Sequence, residues 1–181
     1  AAVAGFWLQD WVGARTTSIG KQLWWNWELD ENRYPDWDGL LQTFQQKSIV
    51  ALTYINPFVV DVSERDVVRR NLYKEAIDKN YVIKRQDGSV YEIMNTSFSA
   101  ALLDLTVSEC RGWVKEIMIE KLLKLNVHGW MADFGEALPF DAVLSDGSDP
   151  LTYHNRYPVE WAKLNREAIQ EAGKEGEILF F

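Results

Sequence analysis

The sequence predicts an α/β fold of the (β/α)8 TIM-barrel type, to which this chain contributes about five β-strands and their helices. Three observations lead there. Strand-length apolar runs alternate with amphipathic helical stretches along all 181 residues, the pattern of a parallel sheet with right-handed crossovers. Polar side chains (Gln9-Asp10, Asn56, Asp104, Asp133) fall at the carboxyl ends of those strands, the edge on which a barrel builds its active site. No Gly-x-Gly-x-x-Gly turn follows any strand, so a dinucleotide-binding open sheet has no direct support.

In chain order, Val3 to Gln9 reads as a buried strand. With no basic region before it, Ala1 to Leu8 reads as the first strand of a chain cut from something longer rather than as a signal peptide. Asp36 to Lys47 carries Trp37, Leu40, Leu41 and Phe44 at helical spacing behind an aspartate placed to cap it. Ile49 to Ile55 is the next strand, stopped by Asn56-Pro57. Glu64 to Lys79 is a charged amphipathic helix whose apolar face includes Val67, Val68, Leu72, Ala76 and Ile77.

Two alternating runs around Asp87-Gly88 signal a hairpin, placed as an excursion from the main sheet near residues 80–94. Ala100 to Leu105 is a further strand, Ser108 to Leu125 a long helix, and His128 to Ala132 a short buried strand. That strand runs straight into Asp133-Phe134-Gly135-Glu136. A long connection from Ala137 to Tyr157 precedes a helix over Pro158 to Ala172, and Glu177 to Phe181 begins a last strand. Five strands do not close an eight-stranded barrel, so residues 1–181 are expected to be an internal part of one catalytic barrel domain.

Composition narrows the partners. A net charge of −8 lacks the positive field that nucleic acid or an anionic membrane needs, and no apolar run approaches the roughly 20 residues of a membrane span. A small-molecule or oligosaccharide partner fits better. Six of the nine tryptophans lie in the first 37 residues, too dense for all to be interior packing; flat faces with a polar edge suit sugar rings. The single cysteine, Cys110, falls in a helical segment and reads as a structural thiol. Two histidines without His-Glu-x-x-His give metal chemistry weak support, and neither metal nor cofactor is expected.

Carboxylates beside tryptophans at a barrel mouth suggest glycoside hydrolysis, which needs one ionised carboxylate and a second, protonated one. Asp133, directly after its strand, is the candidate for the ionised member. Glu136 is a poorer acid, placed to contact sugar hydroxyls or to support the loop, and His154 beside Asn155 is a candidate for ligand contact.

Trp130-Met131-Ala132-Asp133-Phe134-Gly135-Glu136 strongly resembles the nucleophile motif of glycoside hydrolase family 31, in particular its sulfoquinovosidase-like branch. Gln9-Asp10-Trp11-Val12-Gly13, Trp25-Asn26-Trp27, Tyr54-Ile55-Asn56-Pro57, Asp104-Leu105-Thr106 and His154-Asn155 with Trp161-Ala162-Lys163 resemble further stretches of that branch, in order. The resemblance implies a retaining α-glycosidase with Asp133 as the nucleophile of a covalent glycosyl-aspartate intermediate and with an acid/base aspartate from a strand beyond Phe181. It also implies that Gln9 contacts sugar hydroxyls and that Trp25 helps bind a sulfonate. Position 22, commonly basic in that sulfonate site, is Gln22 here, and a neutral amide offers no Coulomb attraction. Neighbouring Lys21 and Arg15 are the cations that could substitute. An α-sulfoquinovoside is therefore the substrate the branch implies, a neutral α-glucoside or α-galactoside is its competitor, and a catalytically inactive carbohydrate-binding barrel is the alternative from another class.

Overall fold

A computed structural model of the chain describes residues 3–65 and 69–181. Its frame is a four-stranded parallel sheet in the order β1 (Gly5–Trp7), β4 (Val50–Ile55), β8 (Gly129–Ala132) and β9 (Leu179–Phe180). Phe6 pairs with Ala51, Thr53 with Trp130, and Trp130 with Phe180. Parallel neighbours require long crossovers. Here these contain the helices α1 (Trp37–Gln46), α3 (Ser108–Lys121) and α5 (Tyr157–Glu171).

The helices start where their sequences supply caps. Asp36 accepts a hydrogen bond from the Gly39 N–H at 3.1 Å, and the buried Trp37 at the first position donates its indole N–H to the Leu125 carbonyl at 3.0 Å. Among the described residues of the stretch expected as one helix from Glu64 to Lys79, a helix, α2, is formed only over Leu72–Asp78. Its cap is Asn71, whose side chain accepts from the Lys74 N–H at 3.2 Å; a side chain that satisfies the first helical donors starts a helix there. Val67 and Val68, assigned to its apolar face from the sequence, lie outside the described residues.

The number of parallel strands is corrected from five to four. Ala100 to Leu105, expected in the main sheet, falls in β7 (Phe98–Leu102) and the segment just after it. β7 is the middle of a separate antiparallel sheet, between β5 (Phe58–Val59) and β6 (Glu92–Asn95). Only Thr96 and Ser97 separate β6 from β7, and Thr96 takes a left-handed φ of 59°. A two-residue connection permits antiparallel pairing alone. The Asp87-Gly88 turn is closed by Arg85 N–H to the Ser89 carbonyl at 2.8 Å and carries one bridge, Lys84 to Val90. Its outer side is engaged elsewhere, by Leu102 and Val143.

The core continues from the sheet into the helices. Trp130 is fully buried and donates its indole N–H to Asn165 of α5 at 2.7 Å, while Asn165 returns its amide to the Trp161 carbonyl at 2.8 Å. Tyr157 donates its hydroxyl to the Leu103 carbonyl. Arg111 of α3 reaches Glu160 and Glu167 of α5 at 3.3 and 3.0 Å. Cys110 is buried against Tyr81, and burial pushes its thiol pKa well above the ordinary range, so it stays a protonated packing group. Of the six early tryptophans, Trp11, Trp25, Trp27 and Trp37 are core residues, Trp24 is partly buried and Trp7 is exposed.

Candidate active site

The carboxyl edge of the parallel sheet carries the polar groups. Asp133 follows β8 directly, and its N–H donates to the Ile55 carbonyl at 3.0 Å, so the ladder with β4 extends to its backbone. Its Oδ2 accepts the Tyr54 hydroxyl at 2.8 Å. Tyr54 in turn accepts from the Asn56 amide at 3.2 Å, and the Asn56 carbonyl oxygen accepts from the Phe58 N–H at 2.9 Å. The relay therefore has one direction: Phe58 N–H fixes Asn56, Asn56 donates to Tyr54, and the single phenolic proton goes to the carboxylate. Burial, chiefly, drives the Tyr54 pKa well above its ordinary value of 10; Asp133 adds to the rise and Asn56 opposes it. The phenol remains a donor throughout the working pH range.

Past Asp133 the backbone turns sharply. Phe134 holds a left-handed φ of 61°, uncommon for a bulky residue and typical of constrained functional turns. Its ring packs against Trp25 and Phe58 at 5.2 and 5.8 Å. At Gly135 a Cβ would lie 2.8 Å from the Cβ of Pro158 and 2.9 Å from its Cα, so the turn presses on the start of α5 and only glycine fits.

In front of this turn lies a cleft of about 540 Å3 whose walls include Gln9, Gln22, Trp25, Tyr54, Phe98 and Asp133. Gln9 comes from the chain just beyond β1. Gln22 and Trp25 come from the hairpin of β2 (Ala14–Thr17) and β3 (Gly20–Leu23) and the chain just after it. Asp133 is the only carboxylate, and Lys21 the only cation, among the described residues lining the cleft. The Gln22 amide is engaged: its Nε2 donates to Thr96 Oγ1 at 3.1 Å and its Oε1 accepts from Ser97 Oγ at 2.7 Å. Trp25 packs at 5.2 Å on Phe58 and edge-on to Phe98.

Glu136 and His154 do not line this cleft. Glu136 is exposed and lines a second hollow, of about 280 Å3, on the α5 side of the turn together with Asp133, Trp161 and Phe180. His154 ends the short helix α4 (Pro150–His154), stacks on Phe140 at 4.3 Å, and has Nδ1 2.6 Å from the Leu138 carbonyl, which can only accept. Asp104, expected at the catalytic edge, is fully buried as a loop brace, accepting from Thr106 and from the Ser145 N–H at 2.8 Å.

Sequence reasoning did not single out Tyr54, Phe98 or Phe134 as parts of the site. Strand alternation held the signal for the first. Tyr54 is in register with Met131, so Tyr54 of β4 and Asn56 just beyond it share a face with Met131 of β8 and Asp133 just beyond that strand. Nothing in the local sequence marks Phe134, whose place depends on the turn.

This arrangement offers a carboxylate oriented by a phenol at the floor of an aromatic-walled polar cleft, suited to stabilising or attacking a sugar's anomeric carbon. The chain is 41% identical over 179 residues to the sulfoquinovosidase of Escherichia coli (strain K12), covering 99% of this chain and 25% of that protein. It is 36% identical over 180 residues to the sulfoquinovosidase of Agrobacterium fabrum, covering 99% of this chain and 26% of that protein. It thus spans about a quarter of the length of these curated relatives. A solved structure of a sulfoquinovosidase from E. rectale in complex with an aza-sugar inhibitor superposes with a TM-score of 0.88 at 42% identity, over 99% of this chain and 26% of that one. The family described as glycosyl hydrolases family 31, TIM-barrel domain, matches residues 5–181, and the chain belongs to it.

Proposed function

We propose that the full-length protein containing this chain is a retaining α-glycosidase acting on α-sulfoquinovosides, with residues 1–181 forming part of its catalytic barrel and the hairpin near 80–94 an excursion from it. The observation that carries this reading is the Tyr54–Asp133 pair at the floor of the cleft. Asp133 attacks the anomeric carbon to form a glycosyl-aspartate, while a second carboxylic acid protonates the departing oxygen; water then resolves the intermediate. In a retaining enzyme the two carboxyls stand about 5–5.5 Å apart; Asp133 is the only carboxylate among the described residues lining the cleft, and we assign the second acid to a later strand of the full-length barrel. Gln9 hydrogen-bonds sugar hydroxyls, Trp25 offers an apolar face, and Gln22 contributes the amide N–H and lone pair its neighbours leave free. Glu136 reaches sugar hydroxyls from the hollow it shares with Asp133, and His154 braces the loop at the Leu138 carbonyl.

A neutral α-glucoside or α-galactoside is the second reading, favoured by one observation: the amide at position 22 carries no charge and is already bonded to Thr96 and Ser97. The test is kcat/KM of the full-length protein on matched aryl α-sulfoquinovoside and α-glucoside substrates, with Asp133→Asn alongside. The expected result is a preference for the sulfonated sugar and a loss of roughly 10^3-fold or more in the variant. Preference for the neutral sugar discards the sulfonate and keeps the mechanism. Binding without turnover replaces the enzyme with a carbohydrate-binding barrel.

A further inference from the structure

The turn behind Asp133 places its backbone strain on a residue poorly suited to bear it. Of the five non-glycine residues with a left-handed φ among those described, Ser48, Asn80, Thr96 and Asn126 carry short polar side chains at helix ends or in the β6–β7 turn, and the fifth is Phe134. Short polar side chains tolerate that region far better than a bulky ring does. Glycine stands next in the chain, yet Gly135 is not among the described glycines with a left-handed φ. A phenylalanine that takes the strained conformation beside an unstrained glycine is held there by its surroundings.

Those surroundings converge on the nucleophile. The Asp133 N–H is tied to the Ile55 carbonyl on one side of the turn, and Gly135 presses on Pro158 on the other. Asp133 and Phe134 line both the cleft and the second hollow, so between its two ties the turn borders open space. What holds it there is the ring. Phe134 packs on Trp25 and on Phe58, and Trp25 packs on Phe58 at 5.2 Å. Phe58 is fully buried, and it is also the residue whose N–H begins the relay through Asn56 and Tyr54 to Oδ2 of Asp133. The contacts therefore close a loop. It runs from the Phe58 N–H along the relay to the Asp133 carboxylate, through one peptide to Phe134, and from that ring back to Phe58.

We propose that Phe134 is a positioning residue for Asp133, its ring clamping the left-handed turn against Trp25 and Phe58 so that the carboxylate meets the Tyr54 hydroxyl and the anomeric carbon in one fixed orientation. The proposal rests on the α-glycosidase reading above. Phe134 acts through Asp133 and takes no part in bond breaking, so its contribution falls on kcat rather than KM. Relay and clamp are two sides of one loop, and opening either releases the same carboxylate.

The test uses the full-length protein and whichever of the two aryl α-glycosides the wild type turns over faster. Phe134→Leu keeps an apolar side chain without the ring, and Phe134→Gly takes the left-handed φ freely while removing the clamp. Each should lower kcat roughly ten- to hundredfold, the scale of a reacting group misplaced by about 1 Å, with KM within about threefold of wild type. Phe134→Tyr, which retains the ring, should recover most of kcat. The deciding comparison is with Tyr54→Phe. Combined with Phe134→Leu, or with Phe134→Gly where the leucine variant does not fold, it should cost no more than about threefold beyond the worse single variant, whereas independent effects would multiply. Multiplied losses would make Phe134 ordinary packing and overturn the proposal. So would full kcat in Phe134→Gly, which would show that the backbone alone aims Asp133, or a loss confined to KM, which would make the ring a substrate wall. The parent reading fails separately: wild-type protein that binds either glycoside but turns over neither removes the reaction before any variant is compared.

Discussion

A carboxylate at the end of a strand is only as effective as the groups that aim it, and at Asp133 those groups form a chain. The Phe58 N–H holds Asn56, Asn56 donates to Tyr54, and Tyr54 donates to Asp133 at 2.8 Å. Removing the phenolic hydroxyl deletes a hydrogen bond to a charged group, worth about 1.5–3 kcal/mol, and frees the carboxylate to rotate. Tyr54→Phe in the full-length protein should therefore lower kcat roughly tenfold or more with little change in KM; unchanged kcat would show that Asp133 is held by its backbone alone. Asp133 was legible in the sequence because an apolar strand ends in an acid beside a glycine. The tyrosine was not, since its contact crosses from β4 to β8 and depends on a register that only the folded sheet fixes. Gln22 shows the same limit. Its position is readable from the hairpin, but its bonds to Thr96 and Ser97 join segments 74 and 75 residues apart.

At the scale of elements, the seam between β8 and β9 has no room for a side chain at Gly129. A Cβ at Gly129 would lie 1.9 Å from the Leu179 carbonyl oxygen and 2.9 Å from its carbon. Those are backbone atoms and cannot swing aside. Gly129→Ala should consequently push β9 away, at about 1–3 kcal/mol for an overpacked site, read as a drop in Tm with faster amide exchange in residues 179–181. Unaltered exchange there would mean that the alanine is accommodated with β9 still paired to β8. The elements themselves were largely readable, because helical periodicity and the cap at Asp36 are local signals. β7 was not placed correctly, and the reason is also local: apolar alternation marks a strand without naming its sheet. The direction of β7 is set by the two-residue turn at Thr96-Ser97, where a non-glycine residue takes a left-handed φ. In the stretch expected as a helix from Glu64, the described helix α2 starts at Leu72, where Asn71 supplies the cap.

Across the whole molecule, the parallel sheet has two open edges. Among the described residues, β1 pairs only with β4, and β9 only with β8. Both edges carry exposed apolar side chains: Phe6 and Trp7 on one, 46% and 42% exposed, and Leu179 and Phe181 at the other, 58% and 52% exposed. Unpaired strand edges with apolar faces are templates for pairing with another chain, whereas a net charge of −8 opposes association by long-range repulsion. The two effects respond differently to salt. Repulsion between exposed charges is screened over about 8–10 Å at physiological ionic strength, while strand pairing and apolar burial are short-range and survive it. The 181-residue chain on its own should thus self-associate as its concentration rises, and more strongly as salt is added, in sedimentation-velocity runs at matched concentrations. A monomer that stays monodisperse at high salt and unfolds in one sharp transition would show that the edges are protected in isolation. Association that instead weakens with salt would place the contact at the ion pairs of the surface rather than at the sheet.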